Sequence, residues 1–202
     1  FRLFVIDHVR SNLYALLNVS AIGQTVDGLR GVDAWENDDL RFLHLDSAVE
    51  TVEKNPDRIV GIKVRIHTGL SSLLPMAAGR ELADAVGLPL VVHVMKAPPA
   101  FRDLLPYLRA GDIVTHMYHP GPGCLVDRHG KIAPEYLDAQ RRGVLIDTGT
   151  ARFHTCHPVA RAAIAEGFLP DTISTDLCLT NYRHITIDMP TTLTKFMALG
   201  MS

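Results

Sequence analysis

Two patterns of apolar residues alternate along the chain. Short runs rich in valine, isoleucine and leucine predict strands, and segments in which apolar residues recur every three or four positions predict amphipathic helices. This alternation is typical of βα units around a parallel sheet. The six predicted strands are residues 13–22, 59–66, 89–94, 112–117, 144–148 and 172–177.

The spacing of the strands narrows the choice of fold. From the second strand onward they begin 23 to 32 residues apart, close to the roughly 30 residues of one βα unit. Both an open doubly wound sheet and a (β/α)8 TIM barrel fit this spacing. A barrel typically needs about 250 residues, so six units in 202 residues would leave two units unaccounted for. The chain opens on Phe1 and stops after a helix-like run, and we expect both ends to be cut.

Composition and charge define the class of protein. Hydrophobic residues make up 47% of the chain and charged residues 21%, which is enough for a sizeable core and excludes a disordered chain. Twenty basic and 22 acidic side chains give a formal charge of -2, so we expect neither a nucleic-acid partner nor an anionic membrane surface. The longest mostly apolar stretch, residues 13–23, is too short to span a bilayer.

The cysteines indicate the compartment. Cys124, Cys156 and Cys178 are odd in number and form no C-x-x-C pair. This argues against a disulfide framework or a thiolate zinc site and fits a reducing environment. We therefore expect a cytoplasmic protein. The sequence leaves a homo-oligomer open.

Ionisable residues interrupt four of the predicted strands near their carboxyl ends. These residues are Lys63, His93, His116 and Asp176. Barrel and doubly wound enzymes place their chemistry at this end of the strands. Burying such groups without partners would cost several kcal/mol, whereas imidazole and carboxylate are ordinary ligands of zinc and its neighbours. A metal centre is therefore favoured over a structural polar network, which stays the alternative.

Lys63 is an unusual member of a metal site, because an ammonium group repels cations. The lysine fits if carbon dioxide has converted its amine into a carbamate, whose two anionic oxygens would bridge two metal ions. Otherwise Lys63 is better interpreted as a Schiff-base lysine activated by desolvation.

At these residues the sequence resembles the amidohydrolase superfamily, in its dihydroorotase-like branch of amidohydrolases and deacetylases. The matching stretches are residues 17–23, 59–65, 88–93, 111–116 and 167–176. The resemblance implies an α/β fold, a (β/α)8 TIM barrel, of which this chain would be an incomplete piece covering about strands 3 to 8. Residues 1–202 would form one hydrolase barrel domain that lacks its first two βα units and a C-terminal β-sandwich portion.

The resemblance also implies a binuclear metal centre with a small-molecule substrate. Lys63 would be the carboxylated lysine that bridges two divalent ions, for which zinc is expected. His93 and His116 would bind the more exposed ion. Asp176 would bind the buried ion and would take a proton from the bridging hydroxide.

Two departures from the family pattern are visible. The family's His-x-His pair does not occur in these 202 residues, and His154 and His157 are expected to lie in a helical stretch. Residues 147–153 stand where relatives carry a Gly-His-Gly-type loop. Four further residues are candidates that the predicted site does not include. Tyr118 and His119 are candidates for substrate contact, and Arg65 and Arg152 are candidates for binding a carboxylate.

The sequence thus predicts a metal-dependent hydrolase that cleaves an amide, a cyclic amide or an ester through a metal-bridging hydroxide. Two alternatives stay open. The first is a Schiff-base lyase that uses Lys63. The second is a barrel remnant without catalytic activity.

Overall fold

The structure is a computed structural model that describes residues 1–23, 36–67, 70, 72–95, 97–151, 154–178, 181–182 and 186–201. Five of the predicted strands are present, each shorter than the apolar run that predicted it. They are β1 (Ala15–Asn18), β2 (Ile59–Arg65), β3 (Leu90–His93), β4 (Ile113–Thr115) and β5 (Leu145–Ile146). Their order in the sheet follows the chain, and β1 with β2 and β4 with β5 are parallel pairs.

The sixth predicted strand, residues 172–177, is reduced to a single parallel bridge between Asp147 and Thr172. The segment nevertheless lies beside the residues that follow β5, because the Thr150 amide donates a hydrogen bond to the Ser174 carbonyl at 3.0 Å. No strand could extend past Asp176, which has a φ of +43°. That is a left-handed conformation incompatible with extended pairing.

Helices lie between the strands and after them. They are α1 (Leu45–Lys54), α2 (Leu74–Val86), α3 (Phe101–Leu104), α4 (Pro134–Arg141), α5 (His157–Ala165) and α6 (Met189–Ala198). The helix α3 ends at Leu104 and continues as a 3-10 turn, Leu105–Tyr107, which contains Pro106. Proline lacks the amide that an α-helix interior requires.

The chain forms two compact units. The first consists of Phe1–Val64 and Ser71–Val91. In it, α2 approaches the sheet closely at Gly79, where a Cβ atom would overlap the Val64 side chain. Val64 and Ile62 of β2 are fully buried. Gly79 thus lets the helix backbone lie directly on the apolar face of β2.

The second unit consists of Arg65–Leu70 and Val92–Ser202. Its core joins the aromatic rings of α3 and α4, since Phe101 and Tyr136 stack with centroids 4.1 Å apart. The Tyr136 hydroxyl donates to the Gly123 carbonyl at 2.7 Å, so this buried phenol is satisfied. All residues of the candidate site except Lys63 belong to this unit.

None of the helices in the described part of the chain combines the length and the hydropathy needed to cross a bilayer.

Candidate metal centre

Two predicted ligands lie side by side at the carboxyl ends of adjacent strands. His93 is the last residue of β3, and His116 follows the last residue of β4. Each is only 3% exposed, and their ring centroids are 4.2 Å apart with the planes at 68°. The placement of polar residues at strand ends thus brings two buried imidazoles into contact.

The proton position on His116 follows from its hydrogen bond. The Nδ1 atom lies 2.7 Å from the Gly149 carbonyl oxygen. A carbonyl can only accept, so Nδ1 carries the proton and the lone pair is on Nε2. Metal-binding histidines commonly donate their second nitrogen to a carbonyl, which fixes the tautomer and the orientation of the ring. His116 is therefore held in the form that a cation requires.

Both His116 and Asp176 have left-handed backbone conformations, with φ values of +70° and +43°. For residues other than glycine this conformation costs of order 1 kcal/mol or more, and such strain is concentrated at functional sites. Asp176 is held from the C-terminal side, because Asn181 donates from Nδ2 to the Asp176 carbonyl at 2.7 Å. Its carboxylate is 43% exposed and thus accessible to solvent.

A third imidazole, which the sequence reasoning missed, completes the cluster. His154 was expected in a helical stretch, and that expectation is wrong, since α5 begins only at His157 and His154 lies in the turn before it. Its ring centroid is 4.0 Å from that of His116 and 4.8 Å from that of His93. The sequence could have indicated His154 through its position in the loop after β5, because such loops converge at the carboxyl ends of the strands.

The donor atoms fit a divalent cation in kind and nearly in spacing. One ligand atom each from His116, His154 and Asp176 lie within 4.8 Å of one another. With bonds of about 2.1 Å, two ligand atoms of a tetrahedral site are about 3.4 Å apart. The 3.7 Å between His154 Nδ1 and Asp176 Oδ2 is close to this value. A pair at 4.8 Å would have to close by roughly 1.4 Å.

Lys63 lies in the first unit, within β2. It is half-buried, and its carbonyl accepts a hydrogen bond from the Val19 amide at 2.9 Å. The backbone of Lys63 is paired with that of Asn18 in β1. The lysine is therefore held in a regular parallel pair.

A buried carboxylate, that of Asp147, connects several strand ends near the histidines. Asp147, which is 6% exposed, accepts hydrogen bonds from three hydroxyl groups. Thr115 donates at 2.5 Å, Ser174 at 2.6 Å and Thr172 at 2.8 Å. Thr115 immediately precedes His116, and Ser174 lies two residues before Asp176. Asp147 thus joins the segments that carry two of the proposed ligands.

We expect Asp147→Ala to lower the free energy of unfolding by about 2–4 kcal/mol, because three hydroxyl groups lose a charged acceptor. Urea unfolding would measure the change. Asp138→Ala is the matched control, since the carboxylate of Asp138 is half-exposed in α4 and lies 3.6–3.7 Å from two arginines. Equal effects of the two substitutions would contradict a structural role of Asp147.

The other candidates near the site have different positions. Tyr118 is completely buried, with its ring 5.9 Å from that of Phe196. Among the described residues its hydroxyl has no hydrogen-bond partner, and burial raises its pKa to about 12. His119 and Arg65 are also buried, and Arg152 lies outside the described residues. Burial of Tyr118 and His119 supports a packing role.

Comparison with known proteins identifies similar chains. The chain is 30% identical over 208 residues to a deacetylase from Agrobacterium fabrum. The alignment covers all of this chain and 49% of the relative. Its fold matches that of a dihydroorotase with a TM-score of 0.88 at 29% identity, covering all of this chain and 52% of the other. An adenine deaminase matches with a TM-score of 0.86 at 25% identity, covering 98% and 53%. These matches indicate the amidohydrolase superfamily.

The chain spans about half the length of the curated deacetylase relatives it matches. No family model matches it. The expected α/β fold is confirmed as a parallel sheet with helices, and the coverage of half of each barrel neighbour is consistent with an incomplete barrel. A doubly wound sheet, the other fold that the spacing allowed, receives no support from these neighbours.

Proposed function

We propose that this chain carries the metal centre of a hydrolase that cleaves C–N bonds in small molecules. The observation that carries the proposal is the buried pair His93 and His116 beside Asp176 and a third imidazole, with the His116 lone pair directed to Nε2 by the Gly149 carbonyl. The relatives, named deacetylase, dihydroorotase and adenine deaminase, support this class of reaction.

Two divalent cations, with zinc expected, would supply a water of lowered pKa and polarise the scissile carbonyl. His93 and His116 would hold one cation through neutral imidazole nitrogens. Their burial excludes bulk water from the donor atoms, which strengthens electrostatic interactions there.

Asp176 is proposed as the group that moves the proton. Its carboxylate would accept a proton from the attacking water and deliver it to the leaving nitrogen, so that the carbonyl carbon gains an oxygen and the C–N bond breaks. The products are a carboxylic acid and an amine, and an ester would give an acid and an alcohol. The exposure of the carboxylate, 43%, supports this role because the group must reach both the water and the substrate.

Lys63 is proposed to act as a carbamate. Its neutral amine would attack the carbon of carbon dioxide, form an N–C bond and release a proton to solvent. The product carries one negative charge shared by two oxygens, which suits a ligand that bridges two cations. The position of Lys63 near the carboxyl end of β2 supports this role, since barrel enzymes place their chemistry at that end of the strands.

The Lys63→Ala variant is expected to lose at least half of its bound metal, since the bridging ligand is removed. Metal content after gel filtration, measured by plasma mass spectrometry, would test this. Lys54→Ala is the matched control, because Lys54 lies in the same unit and its side chain is 72% exposed. Retention of full metal content by Lys63→Ala would refute the bridging role.

Borohydride trapping of a substrate on Lys63 in metal-free protein would instead support a Schiff-base lyase.

The activity itself is tested with three groups of compounds: N-acetylated amino acids, cyclic ureides and acyl esters. We expect the purified protein to hydrolyse an N-acetyl compound, to lose this activity on chelation and to regain it with Zn²⁺. The deacetylase relatives favour acetylated amines as the substrate class. Failure to hydrolyse every compound in the presence of added Zn²⁺ would remove the proposal.

The cysteines bear on the location. Cys124, Cys156 and Cys178 all lie in the described part of the chain, and none forms a disulfide. We propose a cytoplasmic location from the cysteine pattern of the sequence. A homo-oligomer stays a prediction for light scattering to test.

A further inference from the structure

We infer that His154 is itself a protein ligand of the metal centre. The inference rests on the proposed metal-dependent function, and it adds a residue that the family resemblance does not assign. If it is right, the second unit alone offers four donor side chains to cations: His93, His116, His154 and Asp176.

The contacts of His154 within the cluster carry the first step. Its ring lies 4.0 Å from that of His116, with the planes at 31°, and 4.8 Å from that of His93, with the planes at 87°. Three rings this close bring several nitrogen donors into one cluster, which is the arrangement that ligands of a shared cation require.

The Nδ1 atom of His154 gives the second step. It is buried and has no hydrogen-bond partner among the described residues, and the side chain is only 12% exposed. A buried polar atom without a partner costs about 1–3 kcal/mol. This unsatisfied nitrogen lies among other potential metal ligands, which is the position expected of a side chain that binds a cation.

The separation of His154 from Asp176 gives the third step. Nδ1 of His154 is 3.7 Å from Oδ2 of Asp176. This is too long for a charge-assisted hydrogen bond, which closes to about 2.7–2.9 Å. It is close to the roughly 3.4 Å between two ligands of one tetrahedral cation. The geometry therefore fits two ligands of a common ion better than a direct ion pair.

The backbone around His154 fixes the position of the ring. The His154 amide donates to the Ala151 carbonyl at 3.2 Å. Two residues later, the Cys156 amide donates to the Tyr118 carbonyl at 2.7 Å. Because Tyr118 follows His116 by two residues, the turn that carries His154 is tied to the segment that carries His116.

The experiment uses Co²⁺ as a spectroscopic probe of the metal site. The visible absorption of bound Co²⁺ depends on the number and type of its ligands, so a binding isotherm gives both affinity and coordination. We expect His154→Ala to weaken Co²⁺ binding by at least the roughly 10–100-fold that loss of an outer-shell partner costs, and to change the spectrum. His157→Ala is the control, because His157 is exposed at the start of α5, and it should bind like the unmodified protein.

Two further readouts keep the result decisive. Circular dichroism would show whether His154→Ala is folded. If it is not folded, Co²⁺ binding is measured on His154→Gln instead, which removes the imidazole but keeps a polar side chain. Unchanged Co²⁺ affinity and an unchanged spectrum in a folded His154 variant would overturn the inference.

The same data separate this inference from the proposed function. If the unmodified protein binds Co²⁺ and hydrolyses substrate while the His154 variants bind equally well, only the inference fails. If the His154 variants lose Co²⁺ but the unmodified protein hydrolyses no substrate, the inference holds and the proposed function fails. If the unmodified protein binds no Co²⁺, both fail.

Discussion

Replacing His116 by alanine is expected to lower hydrolysis by about 100-fold or more, since even the loss of an outer-shell partner costs metal sites roughly 10–100-fold in affinity or activity. Among the proposed ligands, His116 has the most completely determined environment. Its ring is buried, its proton is fixed on Nδ1 by the Gly149 carbonyl, and two other imidazoles are adjacent. The bound metal should decrease together with the activity. Initial rates and metal content would be measured on the same preparation.

His129→Ala provides the control for this experiment. His129 is exposed in a turn, where its amide donates to Asp127 at 2.7 Å. Its removal should leave both the rate and the metal content unchanged. A His116→Ala protein that is folded, holds its metal and hydrolyses substrate at the normal rate would show that His116 is only a core residue.

Replacing Gly149 by alanine is expected to weaken metal binding by more than about tenfold by disturbing His116 indirectly, as outer-shell changes do. A Cβ atom at this position would overlap the His116 ring and the Thr115 hydroxyl. The φ of +48° at Gly149 adds backbone strain for any L-residue, which costs of order 1–3 kcal/mol. Metal affinity from a competing chelator, together with urea unfolding, would measure the two effects.

Gly167→Ala separates strain from displacement of the ring. Gly167 has a φ of +77°, and no atom lies within 4 Å of where its Cβ would be. This variant should lose stability but keep its metal affinity. If Gly149→Ala and Gly167→Ala affect metal binding equally, the contact between Gly149 and His116 has no role in the centre.

Much of the fold is encoded in local patterns. Five of six predicted strands form, and the helices follow them, because continuous apolar runs suit a sheet covered on both faces. The predicted strands are longer than the observed ones, since apolar runs extend past the last backbone pairing. The sixth run, residues 172–177, meets the left-handed backbone of Asp176, a conformation that composition does not reveal.

The site was predictable where position along a strand determines it. Polar residues at strand ends singled out His93 and His116, which lie in contact. His154 was missed because its place depends on a turn and on a hydrogen bond from Cys156 to Tyr118. The hydroxyl groups around Asp147 come from segments 25 to 32 residues away, and no local pattern predicts such a network.

The metal content of the purified protein at neutral pH tests the central claim most directly. We expect about two divalent cations per chain, with zinc predominant, as hydrolytic two-metal sites require. Their removal by a chelator should abolish hydrolysis of an N-acetylated amino acid, and added Zn²⁺ should restore it. Fewer than about one cation per chain, with no uptake of added Zn²⁺, would contradict a metal centre at His93, His116 and Asp176.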